Sequence, residues 1–170
     1  LMQGIDKYRR LYKAIGYTFT NEALLEQALT HRSAAKQHNE RLEFLGDAIL
    51  GMIVGETLFK RFPTVPEGKL TRMRSTLVKG DTLAELAKEA SVGELLNLGP
   101  GELKSGGHRR SSILADAVEA ILGAIYLDSG MDEVRGVIDR LWETRINKLD
   151  PNAPAKDRTA RLQQFLQGRK

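Results

Sequence analysis

Five carboxylates stand where apolar side chains should be. The segment NERLEFLGDAILGMIVGETLFKR, residues 39–61, reads as one long helix that is apolar around nearly its whole circumference. A helix of that kind is buried. Yet Glu40, Glu43 and Asp47 all fall within one sector of about 60° when residues are placed at 100° per residue. The segment ILADAVEAILGAIYL, residues 113–127, repeats the anomaly with Asp116 and Glu119 as its only charges. Three residues apart, these two share a helix face. Gly123 lies in the same sector, with Ala115 and Ala120 beside it, so there is room for another body against the two acids.

Burying a carboxylate costs several kcal/mol unless it is paired or bound to a metal. Two acidic clusters on two buried helices are best accommodated when the helices face each other around a shared cation. Oxygen donors without cysteine suit a hard ion, Mg²⁺ or Mn²⁺. The chain has no cysteine, and His31, His38 and His108 lack zinc-ligand spacing, which disfavours zinc. Without metal, mutual repulsion should raise some of these carboxyl pKa values. Two alternatives stay open. An acid in a helix first turn meets the helix dipole favourably, which would account for Glu40 and Glu67. The acids could also form ion pairs with Arg41, Arg72, Arg74 or Arg110.

The elements that must position these acids are helices: residues 5–14, 21–29 with Thr20 or Asn21 as N-cap, and 39–61 ended by Phe62-Pro63. A helix from about Pro66 to Val78 follows, then one capped by Asp81 to about Ala90. Four glycines and a proline make 97–109 a loop with at most one helical turn. Ser111 or Ser112 opens a helix that Ser129-Gly130 ends, and 131–148 is amphipathic and helical. No stretch alternates as a strand does, so the fold class is all-α. Residues 150–156 (DPNAPAK) read as a linker, and 157–167 as one more helix.

At 170 residues, with 41% hydrophobic and 28% charged residues, the chain is an ordinary globular one. Neither a signal peptide nor a membrane-spanning run is visible. Lys and Arg number 26 against 22 Asp and Glu, and from Lys156 onward there are five bases and one acid, so residues 1–155 are balanced. Basic residues cluster in KLTRMRSTLVK (Lys69, Arg72, Arg74) and GGHRR (His108, Arg109, Arg110). The first reads equally well as a solvated helix face. The second precedes a helix N-terminus, where backbone N–H groups attract phosphate. The nearby glycines do not form a P-loop.

NERLEFLGDAIL, residues 39–50, resembles the signature of the ribonuclease III family. The resemblance runs on through PEGKLTRMRSTLV, LGPGELKSGGHRRSSILADAVEAILGAIYLD and KDRTARLQQFLQG. It is closest to the bacterial enzymes. It implies a ribonuclease III catalytic domain over 1–149, a linker over 150–156, and over 157–170 the N-terminal fragment of a double-stranded-RNA-binding domain. By the same resemblance, Glu43, Asp47, Asp116 and Glu119 are metal-binding catalytic carboxylates, and Glu40 and Glu67 further catalytic acids. Phe44 would insert into the partner of a homodimer, although a plain core Phe is the other reading. Gln163 would touch the RNA minor groove. Gln164, where the family usually has an acid, and Ala160-Arg161 depart from the family pattern, but only in that module.

The resemblance thus implies Mg²⁺-dependent cleavage of double-stranded RNA, with Mn²⁺ able to substitute. The products would carry 5′-phosphates and short 3′ overhangs. The expected setting is cytoplasmic processing of rRNA, mRNA and other structured precursors, with no membrane and no organic cofactor. A non-catalytic RNA-binding scaffold and a small-molecule phosphohydrolase are the competing readings. All four metal-binding acids are present, which argues against the first, and the basic tail argues against the second.

Overall fold

A computed structural model describes residues 4–153, with side chains from Asp6 onward. Two short helices, α1 (Gly4–Lys7) and α2 (Arg9–Ile15), replace the single helix expected over 5–14. The break falls at Tyr8, whose backbone leaves helical geometry while its buried ring packs on Tyr12, centroids 5.8 Å apart. Helix α3 (Glu22–Ala28) begins as expected, with the Asn21 side chain accepting the Ala23 N–H at 3.1 Å. Helix α4 (Glu40–Arg61) ends just before Phe62-Pro63. Helix α5 (Glu67–Val78) starts one residue after Pro66, which serves as its N-cap.

Helix α6 (Gly80–Glu89) corrects the expected cap. Lys79, in extended conformation, is the N-cap, and Asp81 sits in the first turn, where the helix dipole favours it. A 3₁₀ turn at Val92–Leu95 was not foreseen. The glycine-rich 97–109 segment holds two helical turns rather than one, α7 (Pro100–Lys104) and a 3₁₀ turn at Gly107–Arg109. Helix α8 (Ser111–Ser129) stops at Gly130, whose φ of 93° few other residues adopt, and α9 (Met131–Asn147) closes the set. Among the described residues there is no strand, only one bridge between Thr30 and Asn97. No helix among them is long and apolar enough to cross a membrane.

Helix α8 is the axis of the molecule. Its residues 113–115 and 117–125 are buried, and it packs against α4 most extensively, then α6, α3 and α9. Asp128 at its end accepts the Thr20 and Asn21 backbone N–H groups, each at 2.9 Å, and so ties α8 to the turn before α3. Fully buried Trp142 donates its Nε1–H to the Leu77 carbonyl at 2.8 Å, which fastens α9 to the end of α5.

The crossing of α4 and α8 is made backbone to backbone. A Cβ on Gly46 would lie 1.6 Å from the Glu119 carbonyl oxygen, and one on Gly123 would lie 2.4 Å from the Leu42 carbonyl oxygen. The space that Gly123 leaves beside Asp116 and Glu119 is therefore filled by the α4 backbone. One expectation fails here. Helix α4 is not buried all round: Phe44 is 79% exposed, Phe59 71% and Met52 48%, with Ala48 exposed between them. A helical wheel records apolar character, and this stripe has no covering element among the described residues.

In an ordinary helix interior Gly→Ala stabilises by up to about 1 kcal/mol. Here Gly46→Ala and Gly123→Ala should each destabilise by roughly 3 kcal/mol or more, because neither backbone can retreat. Urea unfolding midpoints check this, and an unchanged or raised midpoint would contradict the close crossing.

Candidate metal centre

Because α4 and α8 touch through Gly46 and Gly123, the side chains flanking the contact are forced together. Gly46 lies between Glu43 and Asp47, and Glu119 is the residue whose carbonyl faces it. The carboxylate oxygens of Glu43, Asp116 and Glu119 lie within 4.8 Å of one another. Asp47 stands just outside this triad and is hydrogen-bonded to Glu119. These four, with Glu40, His31, Arg32, Asn39 and Phe44, line a cleft of about 630 Å³. A groove of about 700 Å³ between α4 and α9 is larger, but Lys60 and Arg135 there are already engaged by Glu56 at 3.4 and 2.7 Å.

The ion-pair alternative fails for the four central acids. Among the described residues none of them forms a salt bridge, while Arg110 pairs with Glu102 at 2.7 Å. Glu40 is held at 3.4 Å by Arg32, a cation outside the set expected. The electrostatics follow. Burial first, then the hydrogen bond and charge of Asp47, push the Glu119 carboxyl up to about 9. Burial and then Asp116 push Glu43 up to about 7. Burial raises Asp116 as well, against the hydrogen bond from Glu43. Glu43 thus lies against Asp116 and Glu119 against Asp47, two carboxyl–carboxyl contacts across the crossing. Each joins α4 to α8.

This donor set fits a hard divalent ion. It is all oxygen, it converges, and it holds negative charge that nothing else in the described chain neutralises.

The other candidate residues are spread out. Glu67 lies exposed at the start of α5 and does not line the cleft. Lys69 on α5 is half-buried, while Arg72 and Arg74 are exposed. His108 is half-buried with Nδ1 enclosed and bonded to no described group, Arg109 is exposed, and Arg110 is engaged by Glu102. Gln163 lies outside the described residues. His31, Arg32 and Asn39 were missed as cleft residues. Their only sequence signal is position, on the turn just before the acidic helix.

The Ribonuclease-III-like family model matches residues 21–145. Ribonuclease 3 of Shewanella amazonensis is 56% identical over 169 residues, covering 99% of this chain and 75% of that protein. The chain belongs to the ribonuclease III family. Ribonuclease 3 of Aliivibrio fischeri is 59% identical over 95% of this chain and 73% of its own length. The nuclease domain of Campylobacter jejuni ribonuclease III superposes with a TM-score of 0.80 at 39% identity, covering 88% of this chain and all of that one. A Dicer from Pichia stipitis gives 0.61 at 30% identity, over 77% of this chain and 58% of its own. The fold is therefore the all-α ribonuclease III nuclease domain, and the chain is an endoribonuclease of that family.

The raised carboxyl values make the metal-free domain sensitive to pH. From the ordinary 4.5 up to about 7 for Glu43 and about 9 for Glu119, the folded chain binds more protons than the unfolded one. Their contribution to stability is complete below the ordinary carboxyl range and is lost as pH rises through those folded values. Thermal melting in EDTA should therefore fall between about pH 5 and 9. It should fall less in Glu119→Gln, and less with excess Mg²⁺, whose binding displaces the protons. A melting temperature that is flat or rises over this range would contradict the assignment.

Proposed function

We propose that this chain hydrolyses phosphodiester bonds of double-stranded RNA, with Mg²⁺ held by Glu43, Asp47, Asp116 and Glu119. The observation that carries the reading is the convergence of Glu43, Asp116 and Glu119 oxygens within 4.8 Å with no ion pair among the described residues to neutralise them. A divalent ion bound there supplies a Lewis acid that activates water and neutralises charge developing at the phosphoryl group. The chain's own part is positioning. Glu43 and Asp47 are fixed on one helix and Asp116 and Glu119 on another, and the glycine contact sets their separation. No Ser, Cys or His nucleophile is needed, since the acids supply the field in which the phosphate reacts.

The products inferred are 5′-phosphate ends with short 3′ overhangs, and the substrates rRNA, mRNA and other structured precursors in the cytoplasm. Glu40 and Glu67 are read as further acids that face the substrate. Lys69, Arg72, Arg74, His108, Arg109 and Arg110 are inferred to meet backbone phosphates, a reading supported by the exposure of Arg72, Arg74 and Arg109. Duplex RNA would be read mainly by shape and 2′-hydroxyls. Over 157–170 we infer the start of a double-stranded-RNA-binding domain, with Gln163 at its minor-groove contact, joined through a linker over 150–156.

A second copy of the chain is the occupant inferred for the uncovered stripe of Phe44, Ala48, Met52 and Phe59. One Campylobacter jejuni structure, at 40% identity and a TM-score of 0.78 over 81% of this chain and 97% of its own, is described in terms of a region involved in dimer formation of the nuclease domain. Phe44 adjoins Glu43, so a partner seated on it would stand beside the cleft.

Glu119→Gln keeps the shape of the side chain and removes its charge. It should lower Mg²⁺-dependent cleavage of a perfect RNA duplex by about 100-fold or more, and EDTA should stop the wild-type reaction. Cleavage by Glu119→Gln at the wild-type rate would sink the metal assignment. A wild type that binds duplex RNA in Mg²⁺ without cutting it would favour the scaffold reading.

A further inference from the structure

The cleft contains one neutral donor that neither the acids nor the basic clusters account for. His31 lines the same cleft as Glu43 and Asp116. Its orientation is dictated by hydrogen bonds. The Ser33 backbone N–H donates to Nδ1 at 3.1 Å, and the Ser33 hydroxyl lies 2.7 Å from the same nitrogen. A backbone N–H can only donate, so Nδ1 is the acceptor and the ring proton sits on Nε2. Among the described residues, Nε2–H has no hydrogen-bond partner.

The turn carrying this ring is unusually well held. His31 N–H donates to the Asn97 carbonyl at 3.0 Å, and Asn97 N–H returns to the Leu29 carbonyl at 2.9 Å. Asn97 Nδ2 donates to Thr30 Oγ1 at 3.2 Å, and Gly99 N–H donates to Ser33 Oγ at 2.9 Å. Gly99 is pressed so closely on this turn that a Cβ would lie 2.3 Å from the Ser33 carbonyl oxygen. The Ser33 hydroxyl, bonded by Gly99, therefore presents its own hydrogen to Nδ1. Two distant loops are brought together, and the outcome is one imidazole fixed in a single tautomer at the edge of the acidic cluster.

We infer that His31 is a substrate-contact residue whose Nε2–H donates to a non-bridging oxygen of the RNA phosphate held at the carboxylate cluster. This rests on the nuclease reading above. The chemistry suits the place. A cation here would pair with Glu43 or Asp116, and a carboxylate would repel phosphate. A neutral N–H donor does neither, and it needs no proton exchange to act.

Two conservative variants separate this role from a structural one. Gln places an amide N–H near the Nε2 position but loses the Nδ1 link to Ser33. Asn places an acceptor near Nδ1, keeping the Ser33 link, but has nothing at Nε2. Affinity for duplex RNA is measured by fluorescence anisotropy in a Glu119→Gln background, which holds RNA without cutting it. Cleavage rates and melting temperatures are measured with Glu119 intact. His31→Asn should weaken affinity and lower kcat/KM about tenfold while melting as wild type does. His31→Gln should stay within about threefold of wild type on both. His31→Asn at wild-type level overturns the inference, as does a loss in His31→Gln equal to that in His31→Asn. A wild type that fails to cut duplex RNA in Mg²⁺ overturns the nuclease reading and this inference with it.

Discussion

The structure depends on a repulsive contact that the backbone does not allow to relax. Gly46 and Gly123 let α4 and α8 meet without side chains between them, closer than an alanine at either position would permit. That closeness is what places Glu43 and Asp47 against Asp116 and Glu119. The cost of gathering four acids in a partly buried cleft is not offset by any described ion pair. It is offset elsewhere, by the apolar packing of α8 against α4, α6, α3 and α9. The most buried helix of the molecule therefore carries two of the least suitable residues for burial, and it can do so because its other buried positions are almost all apolar.

This arrangement also links stability to function. Burial and neighbouring acids hold the Glu43 and Glu119 carboxyls above their ordinary range, so the metal-free crossing favours protons on these groups. On the proposed function, Glu43, Asp47, Asp116 and Glu119 would hold a divalent ion in place of those protons. The site is costly when empty and charged, and that is also what would give it affinity for a hard cation. The phosphate of a substrate would then approach a centre whose negative charge the ion has partly neutralised. His31, held from the opposite loop, stands at the rim as a neutral donor.

Much of this was legible in the residues. Charges on an otherwise apolar helix are improbable without a purpose, so Glu43, Asp47, Asp116 and Glu119 were visible from spacing alone, and the resemblance supplied the family. Helix ends were legible where a local rule governs them, as at Asn21, Phe62-Pro63 and Gly130. They were misread where tertiary packing overrides the rule. Tyr8 breaks a helix to bury its ring on Tyr12, and Lys79 takes the cap assigned to Asp81. The wheel reading of an all-round buried α4 failed because apolar character does not say which body covers a surface, whereas the resemblance had set Phe44 against a partner rather than in the core. His31 was invisible as a site residue, since its placement depends on Asn97 and Gly99, more than sixty residues further along the chain. No local pattern encodes a contact of that kind.

The most direct test of the central claim is crystallographic. Crystals grown with Mn²⁺ would be measured at wavelengths on either side of the manganese absorption edge, so that anomalous scattering locates the ion without assumption. The account predicts one or two peaks in the cleft between α4 and α8, bounded by oxygens of Glu43, Asp116 and Glu119, with Asp47 at the margin. An empty cleft at saturating Mn²⁺, with α4 and α8 still in contact through Gly46 and Gly123, would contradict it.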